Sequence, residues 1–282
     1  MLIHKHTMRL TILTLIALVA FAANSFISRW ALLDASTGPI SFSLLRLCSG
    51  AVLLWVLVAN RANVWRPVFK PISAIALFVY ATSFSVAYVS LDAGLGALVL
   101  FGGVQLTMFL LALLWREEID LFRILGAMIS FLGLCLLLLP NGTLDLNFYS
   151  LILMLLAAIG WGLYTFIGHS SSDPLLETAQ NFVWATPLAV LMYVIMPDEL
   201  DAKGAILAIF SGAVTSGIGY AVWYAVLPRF QSTTAAILQL SVPLIAALLG
   251  YLFLAEVLTW RLGFAAGLVF LGTIVALRQR RR

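Results

Sequence analysis

The chain has 282 residues, 63% of them apolar and 10% charged, with a mean hydropathy of +1.07 and a formal net charge of +4. A water-soluble domain lies nearer about 45–50% apolar and about 25% charged, so this composition leaves too little polar surface to face water. It excludes a soluble nucleic-acid binder, a secreted disulfide scaffold and a cytosolic enzyme, and it defines a polytopic membrane protein.

Apolar stretches follow one another at 9–33, 39–59, 72–90, 93–115, 121–139, 148–168, 177–196, 204–226, 233–254 and 259–277. A spanning helix needs about 20 apolar residues, so ten of them take about 200 positions and leave no separate soluble domain. The separators carry turn residues, among them Thr37-Gly38-Pro39, Arg66-Pro67, Pro140-Asn141-Gly142, Asp173-Pro174 and Pro197-Asp198. Lys5, Arg9 and Ala20-Phe21-Ala22 resemble a cleavable signal peptide. The apolar run continues to Leu33, however, long enough to span, and it is read as the first helix. Cys48 and Cys135 sit inside apolar runs and read as small core side chains rather than a disulfide.

With the N-terminus on the cytoplasmic side, the cytoplasmic segments hold Lys5, Arg9, Arg61, Arg66, Lys70, Arg116, Arg123, Arg229, Arg278, Arg280, Arg281 and Arg282. The outer segments hold only Arg29, Lys203 and Arg261. Twelve against three is a positive-inside asymmetry that places both termini in the cytoplasm.

The two halves repeat. Glu117 lies 16 residues before Gly133, and Glu256 lies 16 before Gly272. A shift of 139 residues superposes Phe131-Leu132-Gly133 on Phe270-Leu271-Gly272 and Ala97 on Ala236. A five-helix unit crosses an odd number of times, so its second copy enters from the opposite side. The pattern predicts an inverted repeat with halves 1–140 and 141–282, an architecture common among secondary transporters.

With these features the sequence resembles the drug/metabolite transporter superfamily, in its EamA branch, over essentially its whole length. The resemblance rests on the ten-helix, two-half layout and on the acidic residue before the fifth and tenth helices. It also rests on Arg46, Trp161-Gly162 and Ser241-Val242-Pro243. The chain departs from the pattern at Ala22-Ala23-Asn24, where Trp-Gly is frequent, and at Gly102-Gly103-Val104, where Pro is common. Size and aromatic content look most similar to the amino-acid exporters of the YddG type. The resemblance implies a bacterial inner-membrane exporter of small metabolites, amino acids among them, working by alternating access.

The residues themselves argue against catalysis. A P-loop needs Gly-Lys followed by Ser or Thr, and none of Lys5, Lys70 and Lys203 follows a Gly. His4, His6 and His169 fall at ends or loops, which leaves no buried base and no metal cluster. No cofactor is expected. All twelve Asp and Glu lie in loops or at helix ends, so a mid-membrane carboxylate relay is not expected and downhill or exchange transport is.

Arg46 is the one charge inside a span, about seven residues or about 10 Å from its outer end. It reads either as a snorkelling cation or as a bundle-facing one that positions a carboxylate or satisfies carbonyls. Glu117, Glu118, Asp120 and Glu256 precede the fifth and tenth helices. With Thr259, they read as caps and dipole partners for those helices.

Tyr80, Phe84 and Tyr88 share a face, as do Trp161 and Tyr164, and as do Tyr220, Trp223 and Tyr224. Tyr80 and Trp184 lie centrally in their spans and are expected to line a cavity rather than an interfacial belt. Trp55, Trp65, Trp115, Tyr251 and Trp260 lie near helix ends and fit a belt. Asn24, Ser83, Gln105, Gln239 and Ser241 are the uncharged polar candidates for the wall, and Pro243 is expected to interrupt the helical hydrogen bonds beside Gln239.

The expected substrate is a small molecule held by rings and uncharged polar groups, in a lipid bilayer and without nucleic acid. The oligomeric state stays open, and a monomer is compatible with the sequence. Two other readings stay open: export of drugs or other metabolites on the same fold, and a non-transporting membrane scaffold.

Overall fold

The computed structural model describes residues 2–59, 70–117, 119–138, 147–257 and 260–277, and every described element is helical. Glu118, Thr259, Trp65, Arg61, Arg66, the arginines after Leu277 and the expected boundary between the halves lie outside the described residues.

The helices are α1 (Leu2–Leu32), α2 (Pro39–Val58), α3 (Pro71–Tyr88), α4 (Ala93–Leu114), α5 (Leu121–Leu138), α6 (Phe148–Gly168) and α7 (Pro174–Ile195). After them come α8 (Ala202–Phe210), a π-helical segment (Ser211–Ile218), α9 (Gly219–Val226), α10 (Ser232–Gln239), α11 (Val242–Leu254) and α12 (Trp260–Leu277). Eight stretches among the described residues are long and apolar enough to cross a bilayer. Two of them are composite: α8 to α9 with the π segment, and α10 with α11.

The start signals have local causes. Pro39, Pro71 and Pro174 stand in the first turns of α2, α3 and α7, where a missing N–H costs no helical bond. Asn147, Asp173 and Asp201 cap α6, α7 and α8 through the N–H groups of Ser150, Leu176 and Gly204.

The bundle's polarity is reversed from that of a soluble protein. Val52, Val56, Leu113, Leu114, Ile152, Val194 and Phe253 face outward, while Asn24, Ser28, Arg46, Gln105, Thr165, Asn181 and Gln239 are buried. An outer surface of this kind is tolerable only in lipid. One apolar core joins α1, α2, α3, α4, α6, α7, α9, α10 and α11. Helices α5 and α12 pack chiefly on each other beside it. There Gly272 lies against the Gly126 carbonyl and Ser130, an approach that a Cβ would prevent.

Two composite helices correct the expectation of continuous spans. Pro243 does not kink an unbroken helix. The chain turns at Leu240 and Ser241, and Pro243 sits in the first turn of α11 with no helical bond to lose. The π segment interrupts the other span. Its glycines account for it: a Cβ on Gly212 would strike the Arg46 carbonyl, so the wide turn passes directly against α2.

Candidate functional site

At the centre of the bundle stands Arg46, 1% exposed, projecting from α2. Its Nε donates to Ser216 Oγ at 2.9 Å, and its Nη2 donates to Tyr80 Oη at 3.1 Å and Tyr220 Oη at 2.8 Å. The two phenol oxygens are 3.0 Å apart and hydrogen-bonded. Asn24 donates to Tyr80 Oη at 3.3 Å and accepts from Ser211 and Thr215 at 2.7 and 3.1 Å. The guanidinium also lies 5.0 Å from the Phe84 ring centroid and 5.3 Å from that of Tyr80, within cation–π range. Burial removes the snorkelling reading: Arg46 faces the bundle.

A cluster of rings continues from this polar centre. Trp161 packs 4.6 Å from Tyr220, 5.0 Å from Tyr80 and 5.3 Å from Phe21, and its indole N–H donates to Gln239 Oε1 at 2.7 Å. Phe21 also touches Trp223 at 5.6 Å, and Tyr164 meets Tyr224 at 5.3 Å. Tyr80, Trp161, Tyr164, Tyr220, Trp223, Gln239 and Asn24 are therefore brought together, and Ser83 is buried on α3 beside Phe84. Trp184 is not drawn inward with them. It is 37% exposed on α7, because a central position along a span leaves the rotation of its helix undetermined.

Several members were not singled out from the sequence: Phe21, Phe182, Ser211, Thr215 and Ser216. A signal for Phe21 existed. Phe21 and Trp161, Tyr80 and Tyr220, and Phe84 and Tyr224 are each 140 positions apart, and the first two pairs are in contact.

One end of the bundle is latched. Asp198, after α7, accepts the backbone N–H groups of Ile40 and Ser41 at 2.8 Å each, closing over the start of α2. Gly38 N–H donates to the Glu199 carbonyl at 2.7 Å, and Thr37 donates to Asp201. Asp34 pairs with Lys203 at 3.1 Å. At the opposite end a narrow cleft, with room for little more than one water molecule, is lined by Ser73, Tyr164, Glu177, Asn181 and Tyr224 among others. Lys70 and Glu177 pair beside it at 2.7 Å. The cleft ends on the Tyr164 and Tyr224 rings, which belong to the central cluster.

Glu117 and Glu256 act on other helices than the ones they precede. Glu117 accepts from Ser232 at the start of α10, and Glu256 accepts the Ala93 N–H at the start of α4 at 2.9 Å. Each follows a non-glycine residue of positive φ, Arg116 at 56° and Ala255 at 55°, which turns the chain out of its helix. Each carboxylate thus meets the start of a helix 115 or 163 positions away in the chain rather than the one that follows it. Asp120 does cap its own helix, accepting from Phe122 N–H at 3.0 Å.

Burial raises the Glu256 carboxyl above its ordinary 4.5, with the Ala93 N–H pulling the other way. A raised carboxyl contributes stability that is complete below pH 4.5 and is lost as pH rises through its folded value. Melting temperature of the wild type is therefore expected to fall relative to Glu256→Gln as pH rises from 4.5. A difference between the two that stays flat across that interval contradicts the assignment. Asp34 titrates in a separate window, pulled down to about 2 by the Ser36 hydroxyl and Lys203.

A multi-pass helix bundle whose polar and aromatic side chains meet in the middle, latched at one end and cleft at the other, is the form of a membrane transporter. Comparison with known proteins agrees. Residues 148–278 match the model of the EamA-like transporter family. An uncharacterized protein of Pseudomonas aeruginosa is 43% identical over 281 residues, covering 96% of each chain. An uncharacterized transporter of Archaeoglobus fulgidus is 26% identical, covering 86% of this chain and 90% of its own. A solved crystal structure superposes with a TM-score of 0.76 at 16% identity, over 95% of this chain and 97% of that one, a likeness of fold. The chain belongs to the EamA-like transporter family, in the drug/metabolite transporter superfamily. Members of that family are transporters rather than enzymes.

Proposed function

We propose that the protein exports small metabolites, amino acids with neutral or aromatic side chains foremost, across a bacterial inner membrane by alternating access. The observation that carries this is the burial of the ring and Arg46 cluster at the centre of the bundle, between the Asp198 latch and a narrow cleft at the other end. A solute entering from the cleft meets Tyr164 and Tyr224, then Trp161 and Tyr220. Rings cover its apolar body, while Gln239, Asn24 and nearby backbone meet its polar end. Such a wall discriminates by shape and apolar area, which separates similar solutes only modestly.

The architecture of this reading is ten spans in two inverted five-helix halves, with α5 and α12 completing the eight stretches above and both termini cytoplasmic. Two observations support it. Tyr80 contacts Tyr220 and Phe21 contacts Trp161, each across 140 positions. Moreover, the Ala93–Glu256 and Glu117–Ser232 contacts transform into each other under a shift of 139, and so do the positive-φ residues Arg116 and Ala255. In this orientation the Asp198 latch is the outer gate and the Tyr164 cleft opens to the cytoplasm. Transport is downhill or by exchange, since the buried cluster holds no carboxylate to carry a proton.

The test is efflux of preloaded radiolabelled Phe, Leu and Thr from proteoliposomes, with the wild type beside Tyr80→Ala and Trp161→Ala. Saturable efflux by the wild type, cut at least about tenfold by either change in protein shown to be folded, is expected, a tenfold loss being about 1.4 kcal/mol of substrate contact. Absence of flux for every amino acid from folded protein overturns the reading in favour of another solute class or a scaffold.

A further inference from the structure

Among the described residues the buried guanidinium has no counter-ion. Arginine stays protonated under all conditions a protein meets, so Arg46 carries a full positive charge. Its hydrogen-bond partners are three neutral hydroxyls, those of Ser216, Tyr80 and Tyr220, and no described carboxylate pairs with it. Nη1 is buried with no hydrogen-bond partner. The surroundings are rich in donors: Tyr80 Oη alone faces Arg46 Nη2, Asn24 Nδ2 and the Tyr220 hydroxyl. Phe84 and Tyr80 offer ring faces, which temper a cation without neutralising it. An isolated buried charge is costly, and one retained in a span calls for a functional partner.

We infer that Arg46 is the binding point for the carboxylate of the transported molecule, taken up through its Nη1 edge, with the Tyr80 and Tyr220 hydroxyls beside it. A carboxylate supplies one negative charge against one positive charge, and up to four acceptor positions against a surplus of donors. A dianionic phosphate over-compensates the single cation, and a neutral ligand leaves it unpaired. The rings of Phe21, Phe84 and Trp161 around the polar centre suit an apolar or aromatic body attached to that carboxylate. The ligand class is therefore a small organic carboxylate with an apolar body, in which an amino group is optional. Arg46 and Tyr80 come from α2 and α3, Ser216 and Tyr220 from the π segment and α9. Charge neutralisation by the ligand thus acts between elements of both halves. This inference rests on the transporter reading and narrows its substrate.

The test compares three solutes of one shape: L-phenylalanine, 3-phenylpropanoate, which keeps the carboxylate and lacks the ammonium, and L-phenylalaninamide, which lacks the carboxylate. Thermal stabilisation of the purified protein and competition against phenylalanine flux in proteoliposomes are read together, with sodium chloride and sodium phosphate at matched ionic strength as further arms. Saturable stabilisation by both carboxylates, with the amide at least about tenfold weaker, is the expected result, since a charge-assisted pair is lost. Arg46→Gln removes the charge and is expected to bring acid and amide close to parity, whereas Arg46→Lys keeps the charge without the planar fork and is expected to keep part of the preference for the acid. Should these variants fail to fold, the acid-against-amide comparison in the wild type still decides.

Equal effects of acid and amide, with flux intact, overturn the carboxylate assignment and leave the exporter standing. Saturation by chloride or phosphate alone makes Arg46 an inorganic-anion site and overturns it as well. Absence of flux for every solute removes the exporter and this inference together.

Discussion

Trp161→Ala is expected to lower the stability of the folded bundle by about 3–5 kcal/mol, the range for emptying a buried aromatic site. Trp161 is 1% exposed and packs against Phe21, Tyr80, Tyr164 and Tyr220, with centroid separations from 4.6 to 5.8 Å. No neighbouring helix can collapse into the space, because these rings are held by Arg46 and by one another. The indole N–H is also the donor to Gln239 Oε1 at 2.7 Å, and removing it leaves a buried acceptor unpaired, a cost of about 1–3 kcal/mol.

The two contributions separate experimentally. Trp161→Phe keeps most of the ring volume and orphans Gln239, so it should fall between wild type and Ala. Adding Gln239→Leu to Trp161→Phe removes the orphan and should recover part of the loss. Thermal melts in detergent read the order directly. A melting temperature unchanged in Trp161→Ala would show that the ring cluster is not what joins these helices.

Gly212→Val carries the second large effect. A Cβ at position 212 would overlap the Arg46 carbonyl and Ser49 Oγ, and the carbonyl is backbone that no rotamer change can withdraw. Replacing Gly in a helix by Ala gains about 1 kcal/mol in propensity, and overpacking costs about 1–3 kcal/mol or more. The clash therefore wins, and valine's branching adds to it. Either α2 backs away from the π segment or the segment rewinds. Both outcomes pull the guanidinium from Ser216 and Tyr220. Gly212→Ala should be milder and Gly212→Val severe, with a lower melting temperature and slower efflux in the same order. Gly267, inside α12 with nothing within 4 Å of a built Cβ, serves as the control, and Gly267→Ala should raise melting slightly by its helix propensity rather than lower it.

How far the site was legible differs from residue to residue. The helical period alone grouped Tyr80 with Phe84, Trp161 with Tyr164, and Tyr220 with Trp223 and Tyr224, and each group remains together in the ring cluster. The same period said nothing of how each helix is rotated about its axis. Trp184 shows the consequence, standing partly exposed although central in its span. Lipid and bundle interior accept a tryptophan almost equally, so the residue type could not decide. Phe21 escaped notice for the complementary reason, since one phenylalanine in a long apolar helix has no local mark.

Glu117 and Glu256 expose the limit of arguing from neighbours in the chain. Their place before a helix pointed to a cap on that helix. The positive-φ residues Arg116 and Ala255 turn them instead to Ser232 and Ala93, across more than a hundred positions. Local pattern identified the chemistry, an acceptor for helix-start donors, and assigned it to the wrong donors.

By itself the sequence determined the solvent, the helical class and where most helices start. These follow from single residues and short windows: an apolar run of bilayer length, a proline that starts a helix, an acidic cap. It also singled out Arg46 as a cation in the interior of a span, well away from the helix ends. Only the tertiary structure decided that Arg46 lies between Tyr80 and Tyr220, that a π turn at Gly212 lets α2 approach, and that Asp198 latches the start of α2. In a membrane the hydrophobic effect drives helices into lipid without choosing their partners. That choice is left to close packing at small residues and to hydrogen bonds between distant polar groups, which no window of sequence contains.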